Sequence, residues 1–125
     1  MKFDTIIIGG GLSGLISGIY LSQRGQRCVI ISSGQSALHF SSGSFDLLNN
    51  LPDGTSVQKP LDAISELVKQ APTHPYAKLG ENKFKELARQ AEEFLKNAGI
   101  STQGDHEENH YRVTPMGTLK PTWLT

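Results

Sequence analysis

The sequence predicts an α/β fold that begins with a βαβ unit. Two apolar runs, Phe3 to Ile8 and Arg27 to Ile31, flank a helical stripe of apolar residues, and a glycine cluster directly follows the first run. Parallel strands need such a helical crossover, and it is nearly always right-handed. We therefore expect the βαβ unit and its following loop in residues 1–50. Residues 51–125 are predicted to form a mostly helical segment that leads toward a second domain.

The first strand is rich in β-branched and aromatic side chains. Its Ile6-Ile7-Ile8 triplet is continuously apolar, which is typical of a central parallel strand buried on both faces. The helix that follows has its apolar residues on one stripe, at Leu12, Leu15, Ile16, Ile19 and Tyr20. Gly25 is well placed to end this helix before the second strand begins.

The glycine turn matches G-x-G-x-x-G at Gly9, Gly11 and Gly14. In a Rossmann-like unit these glycines allow a tight turn, close approach of a pyrophosphate, and tight packing of helix on strand. Free amides at the helix start face the phosphates, with the helix dipole behind them. The predicted binding residues of this turn are Gly9, Gly10, Gly11, Leu12, Ser13 and Gly14. Ser13 is not a nucleophile, because Leu15 stands where a nucleophile elbow needs glycine.

The pattern departs from the dinucleotide-binding type at the end of the second strand. An Asp or Glu is expected there to accept hydrogen bonds from a ribose. Ser32 occupies this position and Ser33 follows, and neither supplies a carboxylate. The turn therefore predicts a phosphate site more firmly than it predicts the ring system, and a nicotinamide-dependent dehydrogenase lacks its usual ribose ligand.

A loop rich in serine and glycine follows the second strand, at Ser41, Ser42, Gly43 and Ser44. Ligands of parallel sheets bind at the carboxyl ends of the strands. The hydroxyls and amides of this loop are therefore predicted to contact the cofactor or its phosphate. A solvated surface loop is the competing interpretation.

Two helices are predicted in the second half. The first runs from Leu61 to Gln70, with Pro60 at its first position and Pro72 and Pro75 ending it. Its apolar side is predicted to contain Leu61, Ile64 and Val68. The second runs from Asn82 to Asn97, and its apolar face comprises Phe84, Leu87, Ala88, Ala91, Leu95 and Ala98.

Further contacts are predicted near and beyond the second helix. Glu92 and Lys96 have the i,i+4 spacing of a helical ion pair. Beyond Gly99, two short strands are predicted at Ile100 to Gln103 and Tyr111 to Thr114.

Composition restricts the classes of function. Twelve basic and twelve acidic residues balance, which argues against a nucleic-acid partner. The single cysteine, Cys28, permits no intramolecular disulfide, and the N-terminus lacks a signal-peptide pattern. No set of residues has the spacing of a metal site, so none is predicted. A cytoplasmic protein is expected.

Two segments resemble known families. Phe3 to Leu15 is similar to the N-terminus of glutathione-reductase-type flavoproteins. The string from Gly34 to Leu48 more closely resembles the B-subunit family of anaerobic glycerol-3-phosphate dehydrogenases. This second resemblance continues through Leu51 to Gly54, Ala71 to Tyr76 and Arg112 to Leu119.

The resemblance implies a two-domain FAD/NAD(P)-binding-type flavoprotein of which this chain is a truncated, N-terminal part. It implies FMN as cofactor, with FAD as the alternative, and it is consistent with Ser32 in place of a ribose carboxylate. The implied partners are an FAD-containing A subunit and a membrane-anchoring iron–sulfur C subunit.

Such a complex oxidises sn-glycerol 3-phosphate to dihydroxyacetone phosphate and passes electrons to quinone and on to fumarate or nitrate. The expected location is cytoplasmic, peripheral at the inner face of the cytoplasmic membrane. No residue has the pattern of a catalytic acid or base, so catalytic residues are unassigned, and the fragment alone is expected to be inactive. The main alternative is a non-catalytic assembly or electron-transfer subunit with a vestigial nucleotide fold.

Overall fold

The computed structural model of this protein describes residues 2–125. The chain divides into two compact units, of which the first ends at Ser42 and the second begins at Gly43. Across residues 2–125, no helix combines the length and the apolar character that crossing a bilayer requires.

The first unit contains the predicted βαβ arrangement. It comprises β1 (Thr5–Ile8), α1 (Leu12–Gln23) and β2 (Cys28–Ile31), followed by a short 3-10 helix (Ala37–Phe40). The strands are parallel and in register, with each residue of β1 opposite its counterpart in β2. Gly25 follows α1 with φ of 80°, a conformation in which glycine is favoured. The predicted strand, helix, glycine stop and strand are therefore confirmed.

An ion pair joins the two chain segments where the sheet begins. Arg27 donates its backbone amide to Asp4 over 2.9 Å and its guanidinium over 3.2 Å. These bonds lower the pKa of the Asp4 carboxyl below its ordinary value. Both side chains are largely exposed, so the pair contributes little to the stability of the fold.

The expected burial of β1 on both faces is wrong for this chain. Ile6 is 62% exposed and Ile8 is 88% exposed, whereas Thr5 and Ile7 are half-buried. The reason is that the parallel sheet has two strands in residues 2–125 and α1 covers one face of it. The apolar triplet has the composition of a central strand without the neighbours that would bury it.

Three helices form much of the second unit: α2 (Ile64–Gln70), α3 (Pro75–Leu79) and α4 (Glu81–Asn97). The prediction for α4 is confirmed within one residue. The predicted start of α2 at Leu61 is wrong, because residues 60–63 form a turn. Leu67, which is 1% exposed, replaces Val68, which is 40% exposed, on the buried side of α2.

The short helix α3 was not predicted, because Pro75 was expected to end the preceding helix. Pro75 is instead the first residue of α3. Proline suits the first helical position, where its missing N–H needs no partner. His74 precedes it and accepts a hydrogen bond from the Tyr76 amide at Nδ1 over 3.2 Å. The helix then ends at Gly80, whose φ is 75°.

The C-terminal strands form an antiparallel hairpin of β3 (His110–Val113) and β4 (Leu119–Thr122). The predicted strand at Ile100 to Gln103 is wrong. Gln103 instead exchanges backbone hydrogen bonds with Thr125 over 2.8 and 3.1 Å. Gly104 follows with φ of 97°, and a Cβ atom there would lie 2.1 Å from the Trp123 carbonyl oxygen. This segment is thus held by close approach to the end of the chain.

Two apolar clusters form the core of the second unit. The larger contains Leu48, Leu51, Val57, Leu61, Ile64, Leu67 and Phe84. The smaller contains Ala88, Trp123 and Leu124, with Ala91 and Leu95 packed against it. Leu87 and Ala98, expected on the apolar face of α4, are exposed, because the buried stripe follows Phe84, Ala88, Ala91 and Leu95.

Buried polar side chains connect distant segments of this unit. Asn109, which is 4% exposed, donates from Nδ2 to the carbonyl oxygens of Leu48 and Val57 over 2.9 and 2.8 Å. The predicted Glu92–Lys96 pair is wrong. Glu92 instead accepts a hydrogen bond from the Trp123 indole N–H over 2.8 Å and contacts His106 Nδ1 over 2.9 Å. Glu92 therefore faces the interior side of α4, while Lys96 does not share its contacts.

Candidate cofactor-binding site

The turn after β1 begins with Gly9, whose backbone conformation favours glycine. Its φ is 110°, which side-chain-bearing residues rarely adopt. Its amide donates to the Ile31 carbonyl oxygen over 2.8 Å, so the turn starts from the paired ends of β1 and β2. The turn is thereby placed at the carboxyl edge of the parallel sheet, where ligands bind in such folds.

Gly14 brings α1 close to this turn. A Cβ atom at this position would lie 2.1 Å from the Gly9 carbonyl oxygen and 3.3 Å from Ile7 Cγ2. Gly18, one turn further along α1, has a related role that was not predicted. A Cβ atom there would lie 3.2 Å from Ile30 Cδ1. Glycine in a helix interior costs roughly 1 kcal/mol relative to alanine. A glycine at position 18 was therefore the feature of the sequence that indicated a close contact.

Gly11 leaves open space in front of the helix. An added Cβ atom would meet nothing within 4 Å. Gly11 is also the N-cap of α1, and no side chain caps the helix. In residues 2–125, Leu15 is the first amide of α1 with a backbone acceptor, the Gly11 carbonyl oxygen at 3.0 Å. The amides of Leu12, Ser13 and Gly14 therefore remain available to an external acceptor.

This helix start has the chemistry of an anion site. Its first turn contains no acidic side chain, so no carboxylate of the helix competes for the open amides. The helix dipole contributes roughly 0.3–1 kcal/mol to an anion at such an end. The open space at Gly11 fits a phosphate of a nucleotide cofactor, which approaches the backbone closely in this type of turn.

Ser32 lies beside the glycine turn. A Cβ atom on Gly10 would lie 3.0 Å from the Ser32 hydroxyl oxygen, so the two positions are in close contact. The hydroxyl donates to the Gly34 carbonyl oxygen over 3.1 Å. Ser33 follows and is exposed. The end of β2 thus brings a hydroxyl, and no carboxylate, to the edge of the predicted site.

The serine-rich loop falls at the boundary between the two units. Ser41 and Ser42 end the first unit and are exposed, and the Ser41 amide donates to the Leu38 carbonyl oxygen over 3.1 Å. Gly43, with φ of 70°, and half-buried Ser44 begin the second unit. The assignment of these four residues, like that of the glycine turn and Ser32 and Ser33, stays a prediction.

The described chain contains no ligand set for a metal ion. Among residues 2–125, no group of three His, Cys, Asp or Glu side chains is arranged to hold a metal ion.

Burial and the nearby Asp46 carboxylate raise the pKa of the Tyr76 phenol, which packs against Phe84 at a ring-centroid distance of 4.6 Å. Tyr76 is therefore part of the core packing.

Comparison with known proteins identifies the family to which this chain is similar. Residues 4–125 match the family described as the FAD binding domain. The flavin class of cofactor implied by the sequence resemblance agrees with this family. No solved structure matches the chain.

Curated relatives match the chain over its whole length. The B subunit of anaerobic glycerol-3-phosphate dehydrogenase from Pectobacterium atrosepticum is 51% identical over 125 residues, which are 100% of this chain and 30% of that protein. Its counterpart in Yersinia enterocolitica is 54% identical over 126 residues, again 100% of this chain and 30% of the relative. The counterpart in Haemophilus ducreyi is 50% identical and is covered to 29%.

The chain thus spans about 30% of the length of these relatives. Its α/β fold, its glycine turn and its full-length match to the domain agree with one another. The chain belongs to the FAD binding domain family.

Proposed function

We propose that the full-length protein is the flavoprotein B subunit of an anaerobic glycerol-3-phosphate dehydrogenase complex. The observation that carries this proposal is the open start of α1, where Gly11 leaves room and three amides have no backbone acceptor among residues 2–125. The names of the relatives, at 50 to 54% identity, support the choice of enzyme class. The substrate is sn-glycerol 3-phosphate and the product is dihydroxyacetone phosphate.

The cofactor proposed at this site is FMN. FMN is the cofactor that the sequence resemblance implies, and Ser32 offers no carboxylate to the ribose of an adenosine half. FAD, with the same ring system, is the alternative that the family name favours. When bound, the flavin supplies the redox chemistry, while the chain binds and orients it.

Each group of predicted residues has a distinct role in this proposal. Gly9 and Gly14 shape the turn, and the amides of Leu12, Ser13 and Gly14 hold the phosphate. Ser41, Ser42, Gly43 and Ser44 are proposed to approach the rest of the cofactor in the full-length protein. No residue of this chain is assigned a proton-transfer role.

The proposed partners are an FAD-containing A subunit and a membrane-anchoring iron–sulfur C subunit. Electrons leave the complex to quinone and then to fumarate or nitrate. The assembled complex is proposed to lie in the cytoplasm against the inner face of the cytoplasmic membrane. The subunit designation of the relatives supports an assembly of several chains.

The experiment is an anaerobic reduction of the purified full-length complex. We expect flavin extracted from the full-length protein to co-migrate with FMN, and the visible flavin absorbance of the complex, which includes the FAD of the A subunit, to bleach when sn-glycerol 3-phosphate is added. Glycerol is the matched control, because it lacks the phosphate. A full-length protein that contains no flavin, or a complex that glycerol 3-phosphate does not reduce, would contradict the proposal.

A second candidate is a non-catalytic assembly or electron-transfer subunit with a vestigial nucleotide fold. The missing carboxylate at Ser32 favours it, because one of the usual ligands of a dinucleotide is absent. Replacing Gly11 with alanine separates the two candidates. Flavin content and turnover both fall if the site is used, whereas both are unchanged, with the complex still assembled, if it is vestigial.

A further inference from the structure

The β3–β4 hairpin has one open edge. Backbone hydrogen bonds alternate along an antiparallel pair. The Thr114 amide bonds the Thr118 carbonyl oxygen over 2.8 Å, and the register then places Arg112 opposite Lys120 as a bonded pair. Tyr111 and Val113 therefore direct their amides and carbonyls away from β4. In residues 2–125, neither makes a backbone hydrogen bond beyond the hairpin.

The opposite edge of the hairpin is closed. Pro121, opposite Tyr111, has no amide hydrogen to offer a further strand. Its carbonyl oxygen accepts a hydrogen bond from Asn49 Nδ2 over 2.9 Å. A further strand can therefore add to β3 and not to β4.

An apolar surface accompanies the open edge. Tyr111 is 54% exposed and Val113 is 63% exposed, on the same face of β3. Across the hairpin, Leu119 opposite Val113 is 67% exposed, and Met116 in the connecting turn is 91% exposed. Proteins normally protect open edges with charge, proline or a covering segment. On this face β3 presents the uncharged Tyr111 and Val113, while Arg112 lies on the opposite face.

We propose that a β-strand from the part of the full-length protein beyond this chain pairs with β3. The hairpin then becomes a sheet of at least three strands, in which side chains of the added strand lie beside Tyr111 and Val113 on the same face. The length of the chain favours this occupant, because it spans about 30% of its relatives. A hairpin alone is marginal in stability, and an added strand satisfies the backbone groups of Tyr111 and Val113 together.

Amide hydrogen exchange on the isolated full-length protein tests this proposal, with fragmentation that resolves single residues. We expect the amides of Tyr111 and Val113 to exchange as slowly as that of Arg112, which is bonded within the hairpin. Rapid exchange at Tyr111 and Val113 beside a slow Arg112 would overturn the proposal. Protection that arises only when the other subunits are added would also overturn it, since the added strand would then belong to a partner.

Two variants test the proposed hydrogen bond of the Val113 amide through thermal stability. Val113→Pro removes the outward amide hydrogen, while Val113→Ala shortens the side chain and keeps that hydrogen. In the isolated full-length protein, we expect Val113→Pro to lower the melting temperature by several degrees more than Val113→Ala. Equal losses would contradict the proposal. If Val113→Pro does not fold, hydrogen exchange on the wild type decides the question. Neither readout depends on flavin or on activity.

Discussion

The carbonyl oxygen of Gly9 lies so close to the backbone of Gly14 that a Cβ atom on Gly14 would be 2.1 Å away from it. An added Cβ on Gly11, by contrast, meets nothing within 4 Å. The two glycines of one motif therefore have different physical roles. Gly14 is required by the packing of the turn on α1, whereas Gly11 keeps open the space that a ligand would enter.

This difference predicts unequal losses of stability for two alanine variants in the full-length protein. Gly14→Ala must displace the Gly9 peptide, so we expect it to lower the free energy of unfolding by about 1–3 kcal/mol. Gly11→Ala adds a methyl group in open space and is expected to change it by less than about 0.5 kcal/mol. Denaturant unfolding of the flavin-free protein gives both values. Equal effects of the two variants would show that the turn is not packed as described.

Asn109 is expected to be the most sensitive buried polar residue of the second unit. Asn109→Ala leaves the carbonyl oxygens of Leu48 and Val57 without their donor in a buried setting. Each unsatisfied buried group costs about 1–3 kcal/mol, so we expect a loss of roughly 2–4 kcal/mol in urea unfolding. Asn50→Ala is the control, because its side-chain bond to Gly54 is exposed. A loss at position 109 no greater than at position 50 would argue against this account.

Trp123 and Glu92 form a partly buried polar contact that is the second to test. Trp123→Phe keeps an aromatic ring in the smaller cluster but removes the N–H that Glu92 accepts over 2.8 Å. We expect a loss of about 1.5–3 kcal/mol, the range for hydrogen bonds to charged groups. Arg89→Ala breaks the exposed Arg89–Glu93 pair and is expected to cost less than about 1 kcal/mol. Thermal unfolding that ranks Arg89→Ala above Trp123→Phe would contradict the assignment.

Asp53 is expected to contribute to the loss of stability in acid. Its carboxylate accepts hydrogen bonds from the Thr55 amide over 2.8 Å and from Gln70 Nε2 over 3.0 Å. The Thr55 bond, mainly, holds the pKa of Asp53 below its ordinary value of 3.8. The folded state binds this proton less readily than the unfolded state, so the stabilisation is complete above that value and is lost as pH falls below it.

Asp53→Asn removes this titration and tests the sign of the effect. We expect the wild type to be more stable than the variant at about pH 7, with the gap narrowing below about pH 4. Urea unfolding of the full-length protein at both pH values measures the gap. A gap that widens in acid would reverse the sign and refute the role of Asp53.

The first unit was predictable from sequence because its determinants are local. The glycine spacing, the helical stripe and Gly25 all act within a few residues of one another, and each has one physical interpretation. Burial of β1 was not predictable from this chain, because Ile6 and Ile8 depend on neighbours that residues 2–125 do not provide.

The second unit was harder to predict because its determinants are separated in sequence. Gly104 has the pattern of a turn residue, yet its close contact is with Trp123. Glu92 has the spacing to pair with Lys96, yet it bonds Trp123, 31 residues away. Pro75 was predicted to end a helix, yet it begins one, because proline is compatible with either role.

The central claim concerns the phosphate of the flavin. Affinities of the flavin-free full-length protein for FMN and for riboflavin, which lacks the phosphate, test it most directly, in the wild type and in Gly11→Ala. We predict that the wild type prefers FMN by at least about tenfold, roughly 1.4 kcal/mol, and that Gly11→Ala loses most of this preference without loss of stability. Equal affinity of the wild type for both flavins, or a preference that survives in Gly11→Ala, would contradict a phosphate site at the glycine turn.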